Sequence, residues 1–380
     1  MRKYNVIICG TWFGQVYLSA FLSGDPHFRL AGILARGSQR SRRYAREFGV
    51  PLYTHVNEIP PGIDVACVVI RSTIIGGEGT EIAKSLLKRG IHVIQEHPVH
   101  FKNIKTCLDL AKENNVCYHI NTHHVHVKPI TTFIEYLVKA RQKQEIIFIE
   151  GTCSFQTIYS LMDIIGRVLG GIRPYGVTKA LAWETSLLEE YKNHSSLGVI
   201  PFKCVQGIIK GIPFTLKIQT YYDPDDLDNN ILIMHRLCIG MLNGNLTLVN
   251  THGPVVWSQS FSIPRENQEE ISFQKRSTAF IGQDTAAAVL YSEDTAPPLS
   301  RVAKTQWPDA VRLALNRLRE HILTNRTPLE QSMEYLTDLS SMWSELMRQF
   351  GEPQAISIPQ AAPPFPDPLS YRKEIFSNHE

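Results

Sequence analysis

The sequence predicts an α/β fold in which an N-terminal doubly wound parallel sheet is followed by an α+β domain with a mixed or antiparallel open sheet. Short β-branched runs alternate with helical stretches from residue 4 to about residue 121, which is typical of parallel strands joined by crossover helices. Beyond a helical linker near residues 128–142, longer runs with period-2 alternation are separated by short turns such as Lys210-Gly211. This second pattern indicates a sheet that buries one face.

The N-terminal domain is predicted to contain five strands and four helices. We predict its strands at Tyr4–Cys9, Phe28–Leu34, Asp64–Ile70, Ile91–Gln95 and Val116–Asn121. We predict its helices at Gly14–Ser23, Arg40–Phe48, Gly77–Arg89 and Asn103–Asn114. The last two helices should end near Gly90 and Asn115, because glycine and asparagine adopt the left-handed cap conformation at low cost.

The rest of the chain is predicted to form a strand-rich domain closed by two helices. We predict strands at Glu145–Phe155, Tyr175–Glu184, Phe202–Ile209, Phe214–Tyr222, Ile231–Ile239, Asn245–Thr251 and Val255–Ser262. We predict the closing helices at Trp307–Leu323 and Thr327–Phe350. Six prolines follow Gly351, which favours an extended arm without its own core. The predicted domains are therefore residues 1–125, 126–350 and 351–380.

Composition excludes several classes of function. With 380 residues, 43% of them hydrophobic, the chain is long enough for two domains. The net charge of +3 is too small for a protein that neutralises nucleic-acid phosphates. Seven cysteines are scattered without a C-x-x-C pair, which suits a reducing cytoplasm. No apolar run is long enough for a signal peptide or a membrane span, so we expect a cytoplasmic protein that binds neither nucleic acid nor membrane.

A glycine turn follows the first predicted strand and opens the first predicted helix. Its residues, Gly10, Thr11, Trp12, Phe13 and Gly14, are predicted to hold the pyrophosphate of a dinucleotide, as in a Rossmann domain. The spacing departs from G-x-G-x-x-G, because Trp12 stands where the second glycine is expected. A plain strand-turn-helix connection is the alternative interpretation, and the alternating pattern of the whole domain favours dinucleotide binding.

The end of the second predicted strand indicates which dinucleotide is bound. Enzymes that use NAD place an acid there for the ribose hydroxyls, but here no acid occurs before Glu47. Arg36, Ser38, Arg40 and Ser41 instead offer donors that suit a 2′-phosphate. The sequence therefore predicts NADPH, the alternative being that these arginines form the solvated first turn of a helix.

One segment resembles a known enzyme family. Gln95-Glu96-His97-Pro98 resembles the Glu-Lys-Pro signature of the Gfo/Idh/MocA oxidoreductases, with histidine in the lysine position. The segments that surround it resemble one branch, the thiazolinyl imine reductases of yersiniabactin- and pyochelin-type siderophore assembly. These segments are 69–73, 76–80 and 90–100, together with the later segments 222–226, 233–236 and 253–258. The likeness covers most of residues 4–262.

The resemblance implies a reaction, a cofactor and partners. In this family NADPH reduces the C=N bond of a thiazoline to a thiazolidine, while the substrate is carried as a thioester by the carrier protein of a nonribosomal peptide synthetase. The open sheet of the second domain usually pairs two subunits, which implies a homodimer. The resemblance also implies that Arg71, Ser72, Thr73, Glu96 and His97 lie at the cofactor.

Reduction of an imine requires a proton donor close to the ring nitrogen, and His97 is the first candidate. It follows the end of a predicted parallel strand, where the nicotinamide lies in doubly wound sheets. An imidazole with an ordinary pKa of about 6.5 is a stronger acid than the lysine of sugar-oxidising relatives. The alternative is an ordinary loop histidine, which the flanking Glu96 and Pro98 make less favoured.

His124 is the second candidate for the proton donor. The family carries Asn-Thr-Phe-Tyr-Pro-His at residues 121–126, with the tyrosine proposed as a general acid; here His123 replaces phenylalanine, His124 replaces tyrosine and Val125 replaces proline. If His124 donates the proton, the rate should fall as the pH rises past the histidine range. Stacking against the substrate and lining the cleft are the alternative roles.

Histidines are dense in this part of the chain, which makes a metal site one interpretation. Seven of the 14 fall within 35 positions: His92, His97, His100, His119, His123, His124 and His126. No H-E-x-x-H motif occurs among them, and hydride transfer needs no metal, so we expect no bound metal.

Acidic residues of the second domain are assigned lesser roles. Asp163 lies on a predicted apolar helix, where sugar-oxidising relatives carry Asp-x-Gly-x-His, and we expect it to position the site or to be a polar residue of the helix cleft. Four further acids are expected to form a solvated turn. These acids are Asp223, Asp225, Asp226 and Asp228.

The sequence thus favours an NADPH-dependent thiazolinyl imine reductase. An NADP-dependent sugar or cyclitol oxidoreductase is the alternative enzyme, and a cofactor-binding regulatory protein without catalytic activity is the alternative outside catalysis.

Overall fold

The fold is described here from a computed structural model, which covers residues 2–72, 77–195, 197–226, 229–260, 286–292 and 299–358. A six-stranded parallel sheet near the N-terminus is followed by an eight-stranded mixed sheet. The predicted fold class, a doubly wound domain followed by an α+β domain, is confirmed.

The first sheet has the strand order β3-β2-β1-β4-β5-β6, and all of its strands are parallel. Its strands are β1 Tyr4–Cys9, β2 Phe28–Leu34, β3 Leu52–Tyr53, β4 Val65–Val68, β5 His92–Glu96 and β6 Tyr118–Asn121. The prediction omitted β3, because two residues are too short to give a periodic signal. The strand order reverses between β1 and β4, which opens the crevice where such sheets bind ligands.

Crossover helices cover this sheet. They are α1 Gly14–Ser19, α2 Gln39–Phe48, α3 Gly79–Lys88 and α4 Phe101–Glu113. The first helix is four residues shorter than predicted, since residues 20–23 form turns. The fourth begins two residues earlier than predicted, because the side chain of His100 accepts a hydrogen bond from Lys102 N and caps it. Gly90 and Asn115 have the positive φ angles that their predicted cap positions require.

The second sheet has the strand order β15-β14-β13-β12-β7-β10-β9-β8. Its strands are β7 Ile146–Ser154, β8 Tyr175–Val177, β9 Phe202–Ile209, β10 Ile212–Gln219, β12 His235–Met241, β13 Gly244–Leu248, β14 Val255–Gln259 and β15 Ala287–Tyr291. The strand predicted at Tyr175–Glu184 is wrong after Val177, and the one predicted at Phe214–Tyr222 is split into β10 and β11 (Tyr221–Tyr222).

The two faces of the mixed sheet differ. Ile149, Leu216 and Leu237 lie on the face that helices α5 (Lys128–Ala140) and α6 (Ile158–Leu169) cover, and all three are buried. The opposite face carries partly exposed polar and charged side chains at alternate positions of the same strands. Glu150, Lys217 and Arg236 are examples.

The last helices pack back onto the first domain. Helix α7 (Thr185–His194) lies within the second domain, before β9. After β15, a π-helical turn at Val302–Gln306 leads into α8 (Trp307–Thr324), and α9 (Met333–Phe350) follows. Helix α8 buries Val311 and Leu315 in the core formed by β1 and α1, while α9 packs on α4. The site crevice is therefore framed by chain segments about 200 residues apart in sequence.

Beyond α9, β16 (Gln354–Ala355) pairs in parallel with β11. Most of the predicted proline arm, residues 359–380, lies outside the described residues. Among the residues described, no helix is both long and apolar enough to cross a bilayer.

Candidate active site

The glycine turn lies where β1 ends beside β4. Gly10 has a φ of +93°, and a Cβ atom there would lie 2.4 Å from the carbonyl oxygen of Val69. Any side chain would therefore push the turn away from β4. Gly14 opens α1 against Ile8, while Trp12 is 57% exposed. The turn thus keeps its backbone close to the crevice, as a pyrophosphate site requires.

An arginine corner, which we define as Arg36, Ser38 and Arg40, follows β2. The guanidinium carbon of Arg40 lies 4.3 Å from the centroid of the exposed Trp12 ring, and its Nε is buried without a hydrogen-bond partner in the described structure. Arg36 forms an exposed pair with Glu78 at 3.5 Å. Ser38 is exposed and caps α2.

Ser41 does not face this corner. It is fully buried, its hydroxyl donates to the Ser38 carbonyl at 2.9 Å, and its backbone N–H donates to Ser38 Oγ. Its hydroxyl therefore stabilises the first turn of α2 rather than offering a donor to the crevice.

The residues after β4 take separate positions. Arg71 is exposed, whereas Ser72 is buried. Ser72 accepts a hydrogen bond from Gln95 Nε2 at 3.2 Å and lies 3.4 Å from the carbonyl oxygen of Pro98, so its hydroxyl connects β4 to β5. The predicted cofactor contact at Thr73 lies outside the described residues.

Glu96 and His97 form the centre of the site at the carboxyl end of β5. Glu96 Oε1 lies 2.9 Å from His97 Nδ1, and Glu96 Oε2 accepts a hydrogen bond from Tyr17 on α1. Asn121, at the end of β6, donates through Nδ2 to the Tyr17 hydroxyl. Two strands, β5 and β6, and helix α1 thereby fix the carboxylate beside the imidazole.

The partners of His97 decide its tautomer. Nδ1 faces two acceptors, the carboxylate of Glu96 and the carbonyl of Asn121 at 3.2 Å, so Nδ1 carries a hydrogen. The ring stacks on Tyr159 at 5.3 Å between centroids. Both hydrogen bonds of the ring to described residues are made by Nδ1, so Nε2 is the nitrogen left for a substrate.

His97 belongs to a histidine cluster, which we define as His97, His123, His124, His235 and His252. The rings of His124 and His235 lie 4.8 Å apart, and those of His123 and His124 lie 5.5 Å apart. His252 accepts a hydrogen bond from Trp307 at the start of α8.

Burial keeps most of this cluster neutral. Together with smaller effects of nearby histidines, burial lowers the pKa of His123 to about 4, although Glu96 acts in the opposite direction. Burial and nearby histidines likewise lower the pKa of His235 to about 3. Burial, then His235, likewise moves the pKa of His124 well below its usual range. His235 donates from Nε2 to Ser160, because the Ser160 hydroxyl itself donates to the Thr157 carbonyl.

Asp163 does not enter the crevice. It is 2% exposed and accepts hydrogen bonds from Thr122, from Tyr335 at 2.7 Å and from Arg167 at 3.0 Å. It anchors Thr122 immediately before His123, which agrees with a positioning role. Asp223, Asp225 and Asp226 lie in a turn after β11, and Asp228 lies outside the described residues.

Sequence reasoning missed Tyr17, Asn121 and Tyr159. Each is separated in sequence from the group that it contacts, by as many as 104 residues between Asn121 and Tyr17, and no local pattern signals such a pairing. For metals, the described residues contain no cluster of three or more histidine, cysteine or acidic side chains arranged to hold an ion.

Comparison with known proteins agrees with this geometry. Residues 4–122 match the model of an oxidoreductase family with an NAD-binding Rossmann fold, known as Gfo/Idh/MocA. Residues 144–258 match the C-terminal domain model of the Irp3-like thiazolinyl imine reductases. The N-terminal domain therefore belongs to the Gfo/Idh/MocA oxidoreductase family. The two matches together support an oxidoreductase that uses a nicotinamide cofactor. A search of curated protein sequences gives no match.

Solved structures share the fold of this oxidoreductase at low sequence identity. A levoglucosan dehydrogenase in complex with NADH and levoglucosan has a TM-score of 0.63 at 11% identity, over 92% of this chain and 97% of that one. A dehydrogenase from Chromobacterium violaceum has a TM-score of 0.62 at 10% identity, over 100% and 99%. An Agrobacterium radiobacter oxidoreductase with NAD+, L-tartaric acid and magnesium has 0.62 at 10%, over 90% and 95%.

Proposed function

We propose that this oxidoreductase uses NADPH to reduce the C=N bond of a thiazoline, carried as a thioester on a nonribosomal peptide synthetase, during siderophore biosynthesis. The observation that carries this proposal is His97 at the end of β5, with Nδ1–H held by Glu96 and Nε2 left for a substrate. The match of residues 144–258 to the C-terminal domain of thiazolinyl imine reductases supports it.

The residues of the crevice fit a dinucleotide. Gly10 allows the turn to lie directly against the end of β4, since a Cβ atom there would collide with the Val69 carbonyl, and this places the turn at the carboxyl edge of the sheet where a dinucleotide binds. Trp12 and Arg40 form a flat, cationic surface at the adenine end. When bound, the cofactor supplies the hydride that goes to the imine carbon.

We propose that the arginine corner selects NADPH over NADH. The buried Nε of Arg40 lacks a partner, and a 2′-phosphate oxygen would satisfy it. Arg36 adds a second cation, although its exposed pairing with Glu78 reduces its effect. No acid follows β2 at the position that would bind the ribose hydroxyls of NADH.

His97 supplies the proton in this proposal. Its cationic form carries a second N–H at Nε2, which donates to the imine nitrogen as hydride reaches the carbon, so that C=N becomes CH–NH. Glu96 stabilises the cation through Nδ1–H, and the neutral ring regains its proton from solvent.

His124 fits the role of proton donor less well. Its pKa is moved well below the usual range by burial and by His235, so the ring is neutral near pH 7. We therefore assign His124 to the wall of the substrate cleft, and the proton to His97.

The second candidate function is oxidation of a sugar or cyclitol with NADP. The levoglucosan dehydrogenase of the same fold favours it. Against it, histidine stands at the lysine position of the Glu-Lys-Pro signature, and Asp163 is enclosed by hydrogen bonds instead of facing a substrate.

One experiment separates these functions. Purified protein is mixed with NADPH and a thiazolinyl thioester, or with NADP and polyols, and the absorbance of the reduced cofactor is followed. Consumption of NADPH with the thioester, together with a thiazolidine product seen by mass spectrometry, is expected. Turnover with polyols alone would support the second candidate, and binding without turnover would support a regulatory protein.

We also propose that two copies associate through the exposed face of the eight-stranded sheet. Alternate residues on that face, among them Ile208 and Lys217, are half or fully exposed in the single chain. Light scattering should give twice the chain mass of 43.0 kDa, and a mass of 43.0 kDa would contradict this proposal.

A further inference from the structure

His123 is the most unusual residue of the site. It directly follows Thr122 after β6 and has a φ of +31°, in the left-handed region that residues other than glycine seldom adopt. Its side chain is 1% exposed. Residues with a strained backbone cluster at active sites and ligand-binding sites.

Both ring nitrogens of His123 lack a hydrogen-bond partner among the described residues. The ring is neutral near pH 7, because burial lowers its pKa to about 4, so it has one N–H donor and one acceptor. Buried polar atoms are nearly always paired, and two unpaired atoms on one ring are costly. A bound water or a ligand would satisfy them.

The surroundings of His123 indicate which molecule. The Phe13 ring of the glycine turn meets it edge-on at 5.5 Å, and the Tyr17 ring lies 6.5 Å away. Glu96 and His97 are close enough to influence its charge. His123 thus lies between the turn expected to hold the pyrophosphate and the imidazole expected to meet the substrate.

The nicotinamide half of a dinucleotide spans this interval in a doubly wound domain. Its ribose hydroxyls each donate and accept, and its carboxamide offers one group of each kind. A neutral imidazole complements either. A phenylalanine, which the resembling family carries at this position, could not form these bonds.

We propose that His123 is a cofactor-binding residue, whose ring nitrogens hydrogen-bond the nicotinamide nucleoside half of the bound dinucleotide. This inference rests on the proposed function, because it requires that the crevice bind the cofactor. The competing explanation is that the imidazole only fills a box of aromatic rings that includes Phe13 and Trp307.

Two substitutions distinguish the explanations. His123→Phe keeps an aromatic ring and removes both nitrogens, whereas His123→Gln keeps a donor and an acceptor and removes the ring. If His123 binds the cofactor, the Kd for NADPH should rise about tenfold in H123F, which corresponds to about 1.4 kcal/mol, and less in H123Q. If the ring only packs, H123F should bind like the wild type and H123Q should bind worse.

The Kd for NADPH is measured by titration, followed by tryptophan quenching and by calorimetry. Two further measurements accompany these titrations. The Tm of cofactor-free H123F should equal or exceed that of the wild type, since two unpaired polar atoms are removed. The affinity for 2′,5′-ADP, which lacks the nicotinamide half, should stay unchanged in both variants. Loss of 2′,5′-ADP binding in H123F would show that this substitution disturbs the whole cofactor site. The NADPH affinity of H123Q would then decide: an affinity close to that of the wild type supports a role for the ring nitrogens, and a weaker affinity supports packing.

The outcomes separate the two levels of inference. Wild-type NADPH affinity in H123F would overturn the role of His123 and leave the proposed function intact. Failure of the wild type itself to bind NADPH would overturn both.

Discussion

The arginine corner and the histidine cluster contact neighbouring residues of the glycine turn, Trp12 and Phe13, but they differ in exposure and charge. At the corner, Arg36 and Ser38 are exposed, and their charge or donors are held in water close to where a phosphate would arrive. In the cluster, His123 and His235 are buried and neutral, and their pKa values are lowered to about 4 and about 3. An exposed cation costs little before its ligand binds, while a buried imidazole must lose its charge or find a partner.

The contrast between exposed cations and buried neutral imidazoles indicates which side chains can act as acids. His97 is the member of the cluster with a carboxylate next to its Nδ1–H, so a cation there is offset by Glu96. The pairs formed by His123, His124 and His235 contain no such carboxylate contact in the described structure. The carboxylate contact therefore makes His97 the histidine of the cluster from which we expect proton donation.

The largest effect should come from His97. Replacement of His97 by Ala should lower the turnover of the thiazolinyl thioester by about 10² to 10⁴, because the general acid is lost. The Kd for NADPH should change much less, and titration of the same sample serves as the control. Turnover like that of the wild type would remove His97 from the role of acid.

The arginine corner should give the next largest effect. Arg40→Ala should weaken NADPH binding by about 10- to 100-fold, as expected for loss of a charge-assisted hydrogen bond, and should change NADH binding little. Arg46→Ala, at the exposed last turn of the same helix, is the matched control. Equal losses for NADPH and NADH in R40A would mean that Arg40 does not read the 2′-phosphate.

Buried histidines outside the cluster should make stability depend on pH. Burial lowers the pKa of His119 to about 3, aided by the nearby His321, which lies 2.9 Å from it. Below about pH 6.5, His119 binds a proton in the unfolded chain but not in the folded chain. The free energy of unfolding therefore decreases as the pH falls from 6.5 towards 3.

His119→Gln should remove this contribution, which amounts to about 2 kcal/mol between pH 7 and pH 5. Urea unfolding at the two pH values measures it as the difference in the free energy of unfolding. The exposed His194→Gln provides the control. An unchanged difference in H119Q would show that His119 accepts its proton in the folded state.

The smallest effect is expected at His124. Because its ring is already neutral, His124→Phe should leave the basic limb of the pH–rate profile in place, even if turnover changes. If the basic limb of the pH–rate profile disappeared in H124F and persisted in H97A, His124 and not His97 would be the proton donor.

Much of the first domain could be predicted because its signals are local. Gly10 and Gly14 flank a strand and a helix, and Gly90 and Asn115 end helices as expected. The strand predicted through Glu184 ends at Val177, because beyond it only Thr178 and Leu181 still donate backbone hydrogen bonds to β9 and the regular ladder is lost.

At the site, the sequence could predict which residues are present, but it could not predict the role of each one. Ser41 has the right chemistry for a phosphate, and the fold turns its hydroxyl into the first turn of α2. His124 and His97 look equivalent as imidazoles, yet burial and one carboxylate separate them. The path of α8 back onto α1 has no signature in its own residues.

The sequence by itself determined the fold class, the glycine turn, the arginine corner and the Glu96-His97 pair, because each depends on neighbours within a few positions of the chain. Tertiary structure alone decided which histidine can be charged, which hydroxyls are already bonded and where Tyr17 and Asn121 meet Glu96. The physical reason is that burial and long-range contacts set the free energy of a proton or a hydrogen bond, and residue type does not.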